Sequence, residues 1–264
     1  MSKNPVLVTL LPSADVDIGR WLLQRWQINY DEQPHAPIFH VLALKWYGVG
    51  NADSPLFICD DQKYPGIEAM VKRFNPLAAP ENRVLPDEVT EKALHDEVMK
   101  LQHDFRFGMG VGTVHWAYYQ LLSHKNLTWA SFTTGVPWFE TLFLTFGYSL
   151  IKFMMFKGLS LSAEQAQKGL DKVKDGFDRC EQILSDGRQY LAADRLTLAD
   201  LAFAACGAPM VLADGYGGRL PTIDEVTPEM RSVVTEMRAR PAGAYVKRLY
   251  DEHRLKVPAR SGAV

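Results

Sequence analysis

The chain has 264 residues, which is enough for one large domain or two modest ones. Apolar residues make up 47% and charged residues 23%, a balance typical of an ordinary globular protein. The formal net charge of −2 gives no electrostatic reason to expect nucleic acid or an anionic membrane as a partner.

Cysteine usage indicates the compartment. The three cysteines are far apart in the chain and show neither a CxxC nor a metal-ligand spacing: Cys59, Cys180 and Cys206. This pattern predicts a reduced, cytoplasmic setting and no metal site. The apolar stretch 6–11 is too short for the hydrophobic region of a secretory signal, so we expect none.

The most hydrophobic tract of the chain covers residues 138–159. Glu140, Lys152 and Lys157 interrupt it, which leaves fewer uninterrupted apolar residues than the roughly 18 that a spanning helix needs. The sequence therefore predicts no membrane span, although association with a membrane surface stays open.

Residues 5–74 predict a small unit that alternates strands and helices. The apolar run 5–11 reads as a buried strand, and Pro12-Ser13 ends it before a helix. Further strands are predicted at 28–33, 55–59 and Tyr64, with helices over 38–47 and 65–74. This order is compatible with a thioredoxin-like domain. In that fold the proline that begins the third strand follows a cis peptide bond, so we expect Ser54-Pro55 to be cis.

From residue 87 onward the patterns are helical. The proline-rich stretch 75–86 reads as a linker. Helices are predicted over 87–107, over 129–158 with Pro137 near the start or at a kink, after the capping box Ser162/Gln165, and after Thr227-Pro228. The glycines at 108, 110 and 112 predict a kink or close packing, and we expect the tail from Val257 to be mobile.

The stretch 190–205 (YLAADRLTLADLAFAA) is the most informative in the chain. Thr197 and Asp200 have the spacing of a capping box, and Leu196 and Leu201 have that of a hydrophobic staple. The helix that follows, over about 198–212, is apolar on all sides, which predicts complete burial. Its start needs a built-in cap because water cannot reach the free N–H groups there.

This capped, buried helix resembles the central helix of the helical domain of glutathione transferases, and Arg240-Pro-Ala242 late in the chain is similar to the same family. An ordinary well-capped core helix is the alternative. The resemblance implies a cytosolic glutathione S-transferase: an α/β thioredoxin-like glutathione-binding domain over 1–76, followed by an all-α helical-bundle domain over 87–264. It also implies a homodimer.

Ser13 is the candidate catalytic residue. It follows the first strand and precedes Arg20-Trp21-Leu22-Leu23 by seven residues, a spacing similar to that of serine-type glutathione transferases. In them the hydroxyl donates to the glutathione thiolate. A plain helix-capping serine is the alternative, and Asp15 and Asp17 in the same turn oppose a second anion.

The resemblance also gives a glutathione-binding set. Ser54 and Pro55 correspond to the residues that hold the cysteinyl backbone as a strand edge does. At the start of the third helix the family carries an acidic residue and then Ser or Thr, whereas this chain has Gly66 and Ile67, followed by Glu68. The hydroxyl for the γ-glutamyl carboxylate is therefore missing, although N–H groups of the helix start can still bind a carboxylate.

Aromatic and apolar residues fall in the helices that line the hydrophobic site in this family. They predict a substrate pocket made of Phe105, Met109, His115, Trp116, Tyr119 and Trp138. The alternative for each of them is a place in the core. The first hypothesis is an enzyme in which the thiolate of glutathione, a co-substrate, attacks a hydrophobic electrophile. The alternative is a non-catalytic binding or interaction protein with the same fold.

Overall fold

The structure, a computed structural model, describes residues 4–50 and 53–254. The predicted mobile tail from Val257 lies outside these residues. Within them the N-terminal third forms a mixed sheet with helices on it, and the remainder is helical. This is the predicted fold class, with a small thioredoxin-like unit first and a helical unit second.

Four strands and three helices build the first unit: β1 Val6–Leu10, α1 Ala14–Arg25, β2 Asp31–His35, α2 Phe39–Trp46, β3 Leu56–Cys59, β4 Gln62–Pro65 and α3 Gly66–Phe74. The sheet order is β2-β1-β3-β4, with β1 and β2 parallel and the other pairs antiparallel. Leu10 pairs with His35, so both parallel strands end at the same edge of the sheet. Ser13 follows the end of β1 after a short turn.

The second strand lies later than its sequence pattern predicts. It covers Asp31–His35 rather than 28–33 and contains Pro34, which the sequence places at its end. Proline lacks the N–H that a central strand donates, but β2 is an edge strand of the sheet and tolerates that loss. Edge position, which is a tertiary property, therefore decides where this strand ends.

The second unit is helical. Its elements are α4 Lys92–His103, a π-helical segment Asp104–Gly110, α5 Val111–Leu121, α6 Lys125–Thr133, α7 Trp138–Gly158, α8 Ala163–Leu184, α9 Leu198–Val211, α10 Pro228–Ala239 and α11 Pro241–His253. The predicted helix over 129–158 is two helices, because Gly135 has a φ of +72° and Pro137 is extended at the start of α7. A helix cannot continue through either conformation.

Helix α9 is the centre of the fold, as the sequence predicts. Nearly all of its residues are buried, and it packs against α1, α4, α5, α10 and α11. The carboxylate of Asp200 organises its start: Oδ2 accepts from the backbone N–H of Thr197 at 2.6 Å, and Oδ1 accepts from Leu191 N at 2.8 Å and Tyr245 Oη at 2.5 Å. The cap therefore also ties α9 to α11.

The glycines before and within α5 allow close packing. A Cβ atom on Gly112 would lie 2.5 Å from the carbonyl oxygen of Gly169 in α8, and one on Gly110 would lie 2.7 Å from Cys206 Sγ in α9. A Cβ atom on Gly108 would meet nothing within 4 Å. Two of the three glycines therefore set how closely the helices approach.

The two units form one packed body. The buried carboxylate of Asp17 in α1 accepts from Tyr250 Oη at 2.7 Å and from Arg254 Nη2 at 2.9 Å. Trp21 Nε1 of α1 donates to the carbonyl of His253 at 3.2 Å. The end of α11 thus anchors α1, and with it the turn that carries Ser13.

Helix α7 is only partly covered by the rest of the protein. Glu140, Leu144, Ile151 and Met155 are its buried residues, and the last three join a second, smaller core. Among the described residues, α7 is the one helix whose length and composition would suffice to cross a bilayer, a test that core helices of other proteins also pass. Only 28% of its most apolar window is buried inside the protein.

Candidate functional site

Ser13 lies at the N-cap of α1, directly after the turn that ends β1. Its Oγ accepts from Val16 N at 3.4 Å, and its own N–H donates to the carbonyl of Leu10 at 3.1 Å. In the part of the chain that is described, no acceptor takes the hydroxyl proton of Ser13. This proton is therefore free to be donated to an anion at the helix start, where the backbone dipole also favours negative charge.

A buried guanidinium binds the first turn of α1, two residues after Ser13. Arg106, in the π-helical segment, holds both carboxylate oxygens of Asp15 with Nε and Nη2, at 2.8 and 3.0 Å. Its Nη1 donates to Glu68 of α3 and, at 2.8 Å, to Gln102 Oε1 of α4. Burial by itself would lower the pKa of Arg106, but its bonds and charge interactions with Asp15 and Glu68 raise it above the ordinary value.

The charge of Arg106 changes the electrostatics at Ser13. The sequence predicts that Asp15 opposes an anion in this turn by like-charge repulsion. In the structure the carboxylate of Asp15 is paired in bidentate geometry with a cation whose side chain is only 4% exposed. Paired charges of opposite sign largely cancel at a distance, so the repulsion at the Ser13 hydroxyl is offset.

The peptide bond Ser54-Pro55 is cis, as predicted. The carbonyl of Pro55 accepts from the N–H of Gly66 at 2.9 Å, which joins the start of β3 to the start of α3. The side chain of Pro55 lies against α1, since a Cβ on Gly19 would come within 2.9 Å of its Cγ. Ser54 is partly exposed next to it.

The start of α3 offers backbone rather than side-chain groups. Gly66 has a φ of +73°, a conformation that favours glycine. Pro65 is the N-cap residue and provides no side-chain cap. Ile67 is fully buried in the main core, and Glu68 turns to Arg106. A carboxylate ligand at this helix start would therefore bind through N–H groups.

The six predicted pocket residues have different environments. Phe105, Met109 and Trp116 are buried in the main core, where the ring of Phe105 lies 5.0 Å from that of Phe203. Trp138, by contrast, is 76% exposed at the start of α7. The structure thus brings three of the six together inside the protein and leaves Trp138 on the surface.

The other two predicted pocket residues are partly exposed. Tyr119 lies on α5 with its ring centre 6.3 Å from that of Phe156 in α7. The pKa of His115 is lowered by its partial burial and by the charge of Lys172. Tyr119 thus lies next to α7, and His115 lies near Lys172 of α8. Their role in a pocket stays a prediction.

A cavity of about 380 Å³ opens beside the carboxyl end of β2, between residues 32–35 and the turn 135–137. His35 borders it and places Nδ1 2.7 Å from Oε1 of the buried Glu140. The other oxygen of Glu140 accepts from Ala36 N at 2.7 Å. A buried carboxylate from α7 therefore fixes the imidazole of His35 and the start of the loop into α2.

The glycine-rich loop after α9 covers the turn before Ser13. Tyr216 Oη donates to the carbonyl of Pro12 at 3.0 Å, and the N–H of Gly217 donates to Asp17 Oδ1 at 3.1 Å. A Cβ on Gly218 would lie 2.9 Å from Pro12 Cα, so only glycine permits this approach. The loop thereby forms one wall of the candidate site.

Comparison with known proteins agrees with this fold. Residues 163–235 match the family model described as glutathione S-transferase, C-terminal domain. A glutathione S-transferase from Rhodospirillum rubrum F11 is similar in structure, with a TM-score of 0.53 at 18% identity over 92% of this chain and 91% of the other. The chain has the glutathione S-transferase fold.

Two further solved structures have this glutathione S-transferase fold. The beta-etherase LigF from Sphingobium sp. strain SYK-6 matches at 17% identity and a TM-score of 0.53, over 94% of this chain and 99% of the other. A glutathione transferase from Phanerochaete chrysosporium, solved with oxidized glutathione, matches at 16% identity and 0.53, over 96% of each chain. Comparison with curated proteins finds no match.

Two residues of this glutathione S-transferase fold were missed by sequence reasoning. Arg106 stands between Phe105 and Phe107 in an apolar stretch, and Glu140 stands in the most apolar tract of the chain. A lone charge in such a setting predicts a buried, paired group, because an unpaired charge is too costly to bury. The lone charges are visible in the sequence, but the partners of Arg106 and Glu140 come from distant parts of the chain.

Proposed function

We propose that the chain is a glutathione transferase-like enzyme of the serine type. The observation that carries the proposal is the free hydroxyl proton of Ser13 at the start of α1, beside an aspartate that Arg106 neutralises. A thiol has a pKa of about 8.5 in water. Donation of a hydrogen bond from Ser13 stabilises the thiolate of glutathione and lowers that pKa.

The proposed binding of glutathione uses backbone groups. Ser54, next to the cis proline, pairs with the cysteinyl backbone as a neighbouring strand would. The γ-glutamyl carboxylate binds at the start of α3, where Gly66 permits close approach and the N–H groups of Ile67 and Glu68 supply donors. This arrangement replaces the hydroxyl that the family's motif provides at this point.

In the proposed reaction the glutathione thiol gives its proton to solvent and becomes a thiolate next to Ser13. Its sulfur attacks the electrophilic carbon of a hydrophobic substrate, and the leaving group departs with the bonding electron pair. The proposed pocket residues with exposed surface are Trp138, Tyr119 and His115. The other three proposed residues would support them from the core: Phe105, Met109 and Trp116. The homodimer and the cytoplasmic location that the resemblance implies stay predictions.

A non-catalytic glutathione transferase-fold protein is the second candidate. The position of Ile67 favours it, because a fully buried isoleucine replaces the hydroxyl residue of the family motif. The burial of Phe105, Met109 and Trp116 in the main core also favours it, since side chains packed in the core have little surface to offer a substrate. Binding of glutathione and turnover must therefore be measured separately.

The test is a calorimetric titration of reduced glutathione, followed by conjugation of a nitro-activated aryl halide. The expected result is binding, weakened when the thiol is alkylated, and turnover that falls roughly 10²-fold in Ser13→Ala. Ser162→Ala is the matched control, because Ser162 Oγ caps α8 in the same way at 3.1 Å from Gln165 N and lies outside the site. Binding without turnover supports the second candidate. No heat at millimolar glutathione excludes the proposed enzyme.

A further inference from the structure

The outward face of α7 is apolar. Large side chains recur along it at helical spacing and are 43–85% exposed, among them Phe139, Leu142, Phe146, Leu150, Phe153 and Met154. The buried residues of α7 lie on the opposite side of the helix, where they join the second core. Most of the surface of the outward apolar face is therefore left uncovered by the rest of the described chain.

Helix α2 extends this face. The ring of Phe39 makes edge contacts with Phe139 and Phe143, at 6.4 and 5.3 Å between ring centres. Leu42 and Trp46, one and two turns further along α2, are 57% and 89% exposed. Together the exposed apolar side chains of both helices, here called the α2–α7 face, present on the order of 1,000 Å², more than the few hundred that monomeric soluble proteins usually expose.

The charged residues in the helices of the α2–α7 face and in their flanking segments are almost all lysines. Segments 36–50 and 122–160 contain a single acidic residue, Glu140, which is buried and paired with His35. The same segments contain four lysines: Lys45, Lys125, Lys152 and Lys157. A chain whose formal net charge is −2 thus concentrates positive charge at its largest apolar surface.

We propose that the α2–α7 face docks on an anionic lipid bilayer, with α7 lying in the plane of the interface. Interfacial helices combine an apolar face rich in Trp, Phe and Leu with flanking lysines that contact anionic headgroups, as this face does. Helix α7 does not leave the protein to do so, because Glu140 and the second core hold its inner side. The inference is independent of the proposed function.

A second copy of the chain fits this face less well. A twofold dimer brings the same patch of both copies together, so the lysines of one would meet the lysines of the other. Neither segment offers an exposed carboxylate to pair with them. Anionic headgroups supply that missing charge.

The experiment measures binding of the full chain to vesicles by co-sedimentation and tryptophan fluorescence. Vesicles of phosphatidylcholine are compared with vesicles of phosphatidylcholine and phosphatidylglycerol. The variants are Phe146→Ser with Phe153→Ser, and Lys45→Glu with Lys157→Glu. Leu77→Ser with Val89→Ser is the matched control, because these two apolar residues are 65% and 87% exposed outside the face.

We expect the chain to bind the anionic vesicles. Its affinity for vesicles of phosphatidylcholine alone should be lower by roughly tenfold or more. The spectrum should shift to the blue as Trp46, which is 89% exposed on α2, leaves water. The phenylalanine pair should lose at least about tenfold in affinity and the lysine pair a similar factor on anionic vesicles, with the control pair unchanged. Equal binding to both vesicle types, equal loss in the control pair, or a dimer in solution that the phenylalanine pair dissociates would overturn the proposal.

Discussion

Replacing Arg106 with glutamine tests the charge cluster that joins the π-helical segment to α1 and α3. The guanidinium bonds to Asp15, Glu68 and Gln102, and its side chain is 4% exposed. The substitution leaves two carboxylates without their cation and a buried amide without its donor. It keeps a side chain of intermediate size, so the loss is chiefly electrostatic.

The magnitude follows from the exposure of the partners. Breaking a fully buried ion pair costs about 3–5 kcal/mol. Asp15 and Glu68 are 30% and 49% exposed, so water solvates them after the loss and the cost is smaller. Adding the lost bond to Gln102, about 1 kcal/mol, we expect a decrease of about 3 kcal/mol in the free energy of unfolding.

Urea unfolding followed by tryptophan fluorescence measures this decrease. Arg106→Lys should lose nearly as much, because an ammonium group cannot reproduce the planar fork that holds both oxygens of Asp15. Arg188→Gln is the control: Arg188 is also paired bidentately, with Asp186, but on the surface, and it should show no measurable loss. If Arg106→Gln unfolds at the same urea concentration as Arg188→Gln, the cluster does not stabilise the fold and this reasoning is wrong.

Three further predictions concern single positions. Burial, with His35 nearby, lowers the pKa of His40 from an ordinary 6.5 to about 4. As the pH falls the unfolded chain therefore binds the proton first, and the free energy of unfolding should decrease by about 3 kcal/mol between these two pH values. His40→Phe should flatten this part of the curve of stability against pH, and an unchanged curve would contradict the prediction. Gly112→Ala should lower the melting temperature strongly, because the added Cβ would meet the carbonyl oxygen of Gly169. Gly108→Ala should instead raise the free energy of unfolding by about 0.5–1 kcal/mol, because the added Cβ would meet no atom within 4 Å. Equal effects of the two substitutions would refute the packing argument. Gly66→Ala should cost about 1 kcal/mol through its positive φ alone, as measured by urea unfolding, and no loss would mean that the backbone there relaxes.

Much of the fold was predictable from neighbours in the chain. The start of α9 needs Thr197 and Asp200 three residues apart, and that spacing is written in the sequence. The strand after the cis proline and the ends of most helices follow from local proline, glycine and apolar patterns in the same way.

Other features depend on residues that are distant in the chain. Pro34 belongs to β2 because that strand is at the sheet edge, and Ile67 points into the core rather than toward a ligand. The prediction of a site at Ser13 rested on its spacing to Arg20, but the neutralisation of Asp15 required a cation placed 91 residues away.

The sequence alone determined the strand and helix order of the first unit, the caps and the central helix, because these depend on contacts within a few residues. Tertiary structure decided which charges are paired and which apolar residues are covered. Arg106 and Glu140 find their partners only after the two units pack, and the pattern of α7 cannot show which of its two apolar sides meets the protein. The pairing of a lone charge and the buried side of an apolar helix depend on atoms from distant parts of the chain, so only the folded chain defines them.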